Sequence, residues 1–105
     1  DPEGSETSIA QSLIGAGSFI NGANIENSIL GFRSHICHNV VIKDSIFLGN
    51  AKIGAGSRLT KVILDKDIEI APNTIIGENL EEDRKHFTVS DEGVIAIAKG
   101  SKVGF

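Results

Sequence analysis

Branched aliphatic residues recur through most of this chain at intervals of five or six positions. Such a period matches neither the 3.6-residue repeat of an α-helix nor the two-residue repeat of a β-strand. It predicts a chain that turns a corner after each short strand and directs one aliphatic side chain inward from every flat side. That architecture is a parallel β-helix built from hexapeptide repeats. The predicted inward residues are Ile14, Ile20, Ile25, Leu30, Ile36, Ile42, Leu48, Ile53, Leu59, Leu64, Ile70 and Ile76.

The residues between these positions agree with the same all-β fold. Three sides close one coil, so the inward residues predict about four coils. Small or β-branched residues are expected four positions after each inward residue, where the chain passes under a corner, and Lys52 departs from this rule. Glycine and asparagine, which tolerate positive φ, lie near the expected corners. The expected corner-packing residues are Ser18, Ser34, Val40, Ile46, Ser57, Ile63, Ile68 and Thr74.

The periodic part, residues 9–78, is predicted to be the β-helix, and the segment before it differs in composition. Residues 1–8 are acidic and polar, which predicts a linker. The sequence contains no Met and begins with Asp1. We therefore expect it to be a fragment of a longer protein.

The segment after Ile76 is predicted to be a cap, residues 79–105. Asn79 and Glu82 have capping-box spacing, which predicts a short helix over residues 80–86. Two strands, Phe87 to Val89 and Val94 to Ala98, are predicted to follow, joined by a turn. A solenoid exposes its core at its ends, so this tail is expected to cover one of them.

Composition excludes several classes of function. The net charge of −4 and the scattered Lys and Arg residues argue against nucleic-acid binding. We find no apolar stretch of the length of a membrane span or a signal peptide, so the protein is expected to be cytoplasmic and not membrane-bound. The single cysteine, Cys37, precludes an internal disulfide and suits a reducing compartment.

One cluster of metal-type ligands occurs, at His35, Cys37 and His38. Zinc shared across a trimer interface and a catalytic histidine of a hexapeptide acyltransferase are the two functional interpretations. His86 is the only other histidine, and no long loop interrupts the coils, as it often does in such acyltransferases. We therefore favour solvated or subunit-facing side chains, and expect no metal site.

Basic residues are predicted to gather near the capped end. Lys66 lies at a corner of the last coil, Arg84 and Lys85 close the predicted helix, and Lys99 and Lys102 come from the tail. If the tail folds back over the last coil, these cations meet. The alternative is a solvated surface on which Arg84 and Lys85 complement the helix C-terminus.

A family resemblance rests on the segment from Ile75 to Phe87, where Ile-Gly-Glu-Asn-Leu-Glu-Glu-Asp is followed by basic residues and an aromatic. It resembles the segment that closes the β-helix of glucose-1-phosphate adenylyltransferase. Residues 27–30 and 62–66 are similar to that family's coils, and residues 93–97 to its terminal strand. The resemblance covers about residues 12–99.

The resemblance implies a left-handed β-helix, against the usual right-handed rule for crossovers. It implies an upstream nucleotidyltransferase domain, absent from this chain, which would hold Mg²⁺ and the catalytic residues. The parent enzyme would convert ATP and glucose 1-phosphate into ADP-glucose and pyrophosphate for glycogen or starch synthesis. The β-helix would contribute subunit contacts in a tetramer and part of a regulatory site. This chain alone is expected to be inactive and to hold no cofactor.

The resemblance also implies site residues. Lys66 and Lys99 match positions at which the family has basic residues that contact a phosphorylated effector. Arg84 belongs to the basic pair after Glu-Glu-Asp. After Ala98 the tail departs from common bacterial members, so the resemblance does not identify the effector.

The alternative function is a trimeric hexapeptide acyltransferase or a structural assembly module. Val41 and Val62 are expected to be outward aliphatics that mark a subunit or domain contact. A stable trimer would favour the acyltransferase.

Overall fold

A computed structural model describes residues 7–105 of the chain, so residues 1–6 of the predicted linker lie outside the described residues. Ser8, which was also assigned to the linker, lies in the first strand and pairs with Asn24. The elements are β1 (Ser8–Ala10), β2 (Leu13–Ile14), β3 (Phe19–Ile20), β4 (Asn24–Glu26), β5 (Ile29–Leu30), β6 (His35–Ile36), β7 (Val41–Lys43), β8 (Ile46–Phe47), β9 (Lys52–Ile53), β10 (Arg58–Thr60), β11 (Val62–Leu64), β12 (Glu69–Ile70), β13 (Ile75–Ile76), α1 (Leu80–Arg84), β14 (Thr88–Val89), β15 (Ile95–Ile97) and β16 (Lys102–Val103).

From β1 to β13, every third strand stacks on the same side of a three-sided prism. Sheet A has the order β1-β4-β7-β10-β13, sheet B has β14-β15-β11-β8-β5-β2, and sheet C has β16-β12-β9-β6-β3. The strands pair in parallel except for β14 with β15. Strands β1–β3, β4–β6, β7–β9 and β10–β12 form the first to fourth coils. The predicted β-solenoid of about four coils is therefore confirmed.

The inward aliphatic residues form the core. The nine that are buried as predicted, all at most 2% exposed, are Ile25, Leu30, Ile36, Ile42, Ile53, Leu59, Leu64, Ile70 and Ile76. Ile14 and Ile20 are partly buried and pack against this core. They lie in the first coil, which has a described neighbouring coil on one side alone.

Leu48 was wrongly predicted to point inward. Its neighbour Phe47 is buried at 1% exposure, whereas Leu48 is 45% exposed. Phe47 pairs with Leu30 and Leu64, the inward residues of the coils on either side. The step from sheet A to sheet B is five residues in every coil, so the inward position after Ile42 falls at 47.

The corner-packing residues lie two positions before each inward residue. This corrects Ile46 and Ile63, which are 40% and 37% exposed. Ser45 and Val62 occupy the buried places instead, and the apparent exception at Lys52 disappears because Ala51 is the buried residue there. The fully buried members of this set are Ala23, Ser28, Ser34, Val40, Ser45, Ala51, Ser57, Val62 and Ile68.

The predicted helix begins after Asn79, whose side chain accepts a hydrogen bond from the Glu82 amide at 3.2 Å. It ends at Arg84, earlier than the predicted residue 86. Asp83 is buried, and its Oδ2 accepts a hydrogen bond from the Gly77 amide at 2.9 Å. This bond attaches the helix to the residue that follows β13, the fifth rung of sheet A.

The tail closes the prism and also extends it. The two predicted strands form, as β14 and β15, and they pair in the antiparallel direction. In addition, β15 stacks in parallel on β11, and β16 stacks on β12, so the tail adds a fifth rung to sheets B and C. The sequence did not predict β16. Within residues 7–105, no helix is long and apolar enough to cross a membrane.

Candidate functional site

The corner between sheets B and C brings residues of successive coils into a single column. At this corner the chain turns at Gly17, Arg33, Asn50, Asp67 and Gly100, all of which have positive φ. The carbonyl of the residue before each of the first four turns accepts a hydrogen bond from the amide of the turn residue on the next coil, at 2.8–3.2 Å. We call these residues the B–C corner column: Ala16, Phe32, Gly49, Lys66 and Lys99.

Lys66 and Lys99 are neighbours in this column. The Gly100 amide donates a hydrogen bond to the Lys66 carbonyl at 3.0 Å, which places the two lysines at equivalent positions on adjacent coils. Adjacent strands lie about 4.8 Å apart. Both lysines are exposed, and neither forms an ion pair within the described part of the chain. Their backbones are thus positioned for two ammonium groups to approach one anion.

Two carboxylates flank Lys66, and local hydrogen bonds orient both. Asp65 Oδ1 accepts from the Lys66 amide at 2.7 Å. Asp67 Oδ1 accepts from Asn50 Nδ2, also at 2.7 Å. Each carboxylate therefore has a partner other than the Lys66 ammonium group.

Arg84 lies apart from this column. It is the exposed last residue of α1, and α1 packs against β14 at the edge of sheet B. No hydrogen bond or ion pair between described residues joins Arg84 to Lys66 or Lys99. The structure brings the two lysines together at the level of the backbone and leaves Arg84 separate.

A groove of 390 Å³ lies between α1 and the tail, and His86, Phe87 and Lys102 are among its lining residues. Its polar groups are already paired, since Glu82 contacts His86 Nε2 at 3.2 Å and Lys102 lies 3.9 Å from Glu69. The groove has mixed charge and contains neither Lys66 nor Lys99. The groove is therefore separate from the column that carries the two lysines.

The histidine and cysteine cluster lies on sheet C. The His35 ring packs on Phe19 with centroids 5.1 Å apart, and His35 and Cys37 border a shallow groove with Lys52. Within residues 7–105, no group of three His, Cys, Asp or Glu side chains is arranged to hold a metal ion.

The outer face of sheet B carries a row of exposed aliphatic residues, and these are not the two valines that were predicted to point outward. Val62 was predicted to point outward but is fully buried, and Val41 is half-buried. The exposed residues in register across four coils are Leu13, Ile29, Ile46 and Ile63, which we call the apolar ladder. The sequence does contain a pattern that predicts this row. A serine or valine followed by two bulky apolar residues recurs at 28–30, 45–47 and 62–64, and the middle residue of each triplet points outward.

Sheet A, in contrast, carries an ion pair on its outer side. Arg58 Nε donates to Glu78 Oε2 at 2.8 Å, and Arg58 Nη2 contacts Glu78 Oε1. This hydrogen-bonded arginine lowers the pKa of the Glu78 carboxyl group, and Lys43 contributes in the same direction. The Glu78 carboxylate in turn raises the pKa of Arg58. The three faces of the prism thus differ in chemistry.

Comparison with known proteins extends these observations. A model of the GlmU-like, C-terminal hexapeptide family matches residues 1–97. The chain is 51% identical to a glucose-1-phosphate adenylyltransferase of Photobacterium profundum and 55% identical to glucose-1-phosphate adenylyltransferase 1 of Vibrio cholerae. Each comparison covers 105 residues, which is 100% of this chain and 26% of the relative.

A more distant relative shows the same pattern. A glucose-1-phosphate adenylyltransferase of Methylococcus capsulatus is 38% identical over 86 residues, which is 82% of this chain and 20% of that protein. The resemblance inferred from the segment between Ile75 and Phe87 is therefore confirmed. The chain spans about a quarter of the length of the first two relatives and corresponds to a hexapeptide β-helix region.

Proposed function

We propose that this chain, which belongs to the GlmU-like, C-terminal hexapeptide family, is the regulatory and assembly domain of a glucose-1-phosphate adenylyltransferase. The observation that carries the proposal is identity of 51–55% with such enzymes along all 105 residues, cap included. Hexapeptide repeats alone constrain the inward and corner positions, so they do not account for similarity in α1 and the tail. The whole enzyme transfers an adenylyl group from ATP to glucose 1-phosphate.

The regulatory part of the proposal is a phosphate site at Lys66 and Lys99. Two cations within reach of one phosphate are favourable when the ligand is present and repel each other when it is absent. The stacking of Gly100 on Lys66 supports this role because it places the two lysines on neighbouring coils. Arg84 is proposed as a further effector contact, which would require the effector or the rest of the enzyme to bridge from α1.

The assembly part of the proposal assigns the apolar ladder to a contact with the rest of the longer enzyme or with another subunit of a tetramer. Four aligned aliphatic side chains that the prism does not bury form a continuous apolar stripe. Stripes of this kind commonly mark protein–protein contacts.

Chemistry is proposed to occur outside this chain. Nucleotidyl transfer requires groups that hold Mg²⁺ and stabilise charge on the transferred phosphate. We assign these groups, and the metal, to a catalytic domain in the remaining three quarters of the enzyme. This chain supplies no catalytic residue in the proposal.

The test of the activity compares two proteins. The longer protein that contains this segment is expected to release pyrophosphate from ATP and glucose 1-phosphate, while the purified 105-residue chain is not. Turnover by the chain alone would contradict the assignment of catalysis to a domain outside this chain. Failure of the longer protein to form ADP-glucose would contradict the proposed function, and acetyl transfer from a coenzyme thioester would support the acyltransferase alternative.

The test of the regulatory site uses Lys66→Ala and Lys99→Ala in the longer enzyme. Coupling between sites typically amounts to about 1–3 kcal/mol, so each substitution should change activation by sugar phosphates several-fold and leave the unactivated rate nearly intact. Lys52→Ala is the matched control, because Lys52 is an exposed lysine on sheet C. An unchanged response in both variants would show that these lysines are solvated surface.

A further inference from the structure

Phe32 lies in the same corner column as the two lysines. It belongs to the second coil, Gly49 to the third, Lys66 to the fourth and Lys99 to the fifth rung. Phe32 is 43% exposed, so part of its ring is accessible to a ligand. The column therefore presents an aromatic ring on the second coil and cations on the fourth coil and the fifth rung.

The ring extends along the column and covers the next coil. A Cβ atom built on Gly49 would lie 3.0 Å from Phe32 Cε1 and 3.2 Å from Cζ. Any other residue at 49 would displace the ring. The missing side chain of Gly49 thus lets the ring lie against the third coil, on the side toward Lys66.

Arg33 helps to fix this ring. Its guanidinium carbon lies 5.4 Å from the centroid of Phe32, within the range of a cation–π contact. Its Cγ lies 3.2 Å from the position of a Cβ on Gly17, so the stem of Arg33 runs over the first coil. Arg33 therefore contacts the ring through its guanidinium group while its stem extends toward the first coil, away from the coils that carry the lysines.

We propose that Phe32 is the apolar wall of the Lys66–Lys99 site and determines its specificity. In this arrangement the lysines hold a phosphate group, and the carbon skeleton attached to it packs against the exposed part of the ring. Removing apolar surface from water is favourable in proportion to its area. The site would thus prefer an organic phosphate to inorganic phosphate. This inference rests on the proposed effector role of the two lysines.

The experiment measures half-saturating concentrations in the longer enzyme for two probes, fructose 1,6-bisphosphate and inorganic phosphate. Phe32→Ala is expected to raise the value for the sugar bisphosphate about five- to tenfold, as expected for loss of one partly buried aromatic contact. The value for inorganic phosphate is expected to stay within about twofold, because the lysines remain. Phe32→Leu, which keeps an apolar surface, should be intermediate.

Phe19→Ala is the matched control. Phe19 is also an exposed phenylalanine, at 57%, but it lies on the outer face of sheet C against His35. It should leave both concentrations unchanged. The thermal unfolding midpoint of each variant shows whether the fold is retained, and Phe32→Leu serves if Phe32→Ala is unstable.

The outcomes separate this inference from the function on which it rests. One outcome is that Lys66→Ala and Lys99→Ala weaken the response to the sugar bisphosphate while Phe32→Ala does not. In that case the role assigned to Phe32 is wrong, and the proposed phosphate site at the two lysines is retained. Equal weakening for both probes, or a changed oligomeric state in Phe32→Ala, also overturns the wall. If the unsubstituted enzyme responds to neither probe, the wall and the effector site are both wrong.

Discussion

The backbone amide of Ser45 donates a hydrogen bond to the hydroxyl oxygen of Ser28, on the coil before it, at 3.1 Å. The same arrangement repeats on either side. Ser28 N donates to Ser12 Oγ at 3.0 Å, and Val62 N donates to Ser45 Oγ at 3.1 Å. Each hydroxyl also donates to a carbonyl of its own coil two residues earlier. The column thereby satisfies amides at a corner where strand pairing is interrupted.

Ser45→Ala is expected to destabilise the chain by about 1–3 kcal/mol, because it leaves the buried Val62 amide without an acceptor. The measurement is the free energy of unfolding in urea. Ser12→Ala removes an equivalent hydroxyl at the first coil, which is half-exposed, so water can replace the lost acceptor. Its cost should be clearly smaller. Equal costs for the two variants would show that burial does not determine the contribution of this column.

The repeat made the architecture predictable, because one aliphatic residue per side is required to fill a narrow core. It did not fix every position. Phe47 and Leu48 are adjacent, and both are apolar. Because every other predicted inward residue is Ile or Leu, the pattern favoured Leu48, although Phe47 is the buried one. The deciding factor is the five-residue step from sheet A to sheet B, which becomes evident from the pairing of Phe47 with Leu30 and Leu64.

The capped end was predictable in part. The capping-box spacing of Asn79 and Glu82 is local information, and the helix forms where it predicts. The strand at Lys102–Val103 has no such local signal, since two residues carry no periodicity. Its formation depends on pairing with Glu69 and Ile70 of the fourth coil.

The candidate site likewise depends on contacts between coils that no local sequence signal predicts. Lys66 and Lys99 were named from a family resemblance, and their sequence separation says nothing about contact. The shared corner position becomes visible once the hydrogen bond from Gly100 to Lys66 defines which coil follows which. Phe32 was missed because its relation to Gly49 is a packing relation between coils.

Ile42→Asp is expected to unfold the chain, because it places a carboxylate without a partner in the core, where Ile42 is 0% exposed. Ile46→Asp is the matched control. It is the same change in the same coil, but the Ile46 side chain is 40% exposed and its carboxylate would remain in water. Circular dichroism of the purified 105-residue chain should show loss of β-structure for the first variant alone. A folded Ile42→Asp variant would contradict the assignment of the inward positions.

Glu78→Gln is expected to lower the thermal unfolding midpoint at neutral pH by a small amount that depends on salt, since both partners of the Arg58 pair are exposed. The folded state has the lowered pKa, so the stabilisation is present above the ordinary pKa of a glutamate, about 4.3. It is lost as the pH falls through the folded pKa. The midpoints of the original chain and the variant should therefore converge in acid, when measured from pH 7 downward.

The control for this experiment is Glu92→Gln, which removes one negative charge from an exposed turn residue that has no described ion pair. If Glu92→Gln reproduces both the loss at neutral pH and the convergence in acid, the effect belongs to net charge and not to the contact with Arg58.

The apolar ladder yields a prediction about assembly in the longer enzyme. The double variant Ile29→Glu, Ile46→Glu places two carboxylates in the middle of the ladder, where both side chains are exposed in this chain. The isolated chain should therefore keep its stability. In the longer enzyme the same change would bury two charges at the proposed contact, which is strongly unfavourable without partners. Light scattering should show dissociation of subunits, or limited proteolysis should show release of the domain.

Ile75→Glu is the matched control, because Ile75 is an aliphatic residue with 52% exposure on sheet A, away from the ladder. It should alter neither the mass of the assembly nor its cleavage pattern. If the double variant behaves like Ile75→Glu in the longer enzyme, the ladder faces solvent there and the contact lies on another face. A stable trimer of the unsubstituted protein would instead favour the acyltransferase-like arrangement, because a threefold axis along the prisms is the arrangement expected of that class.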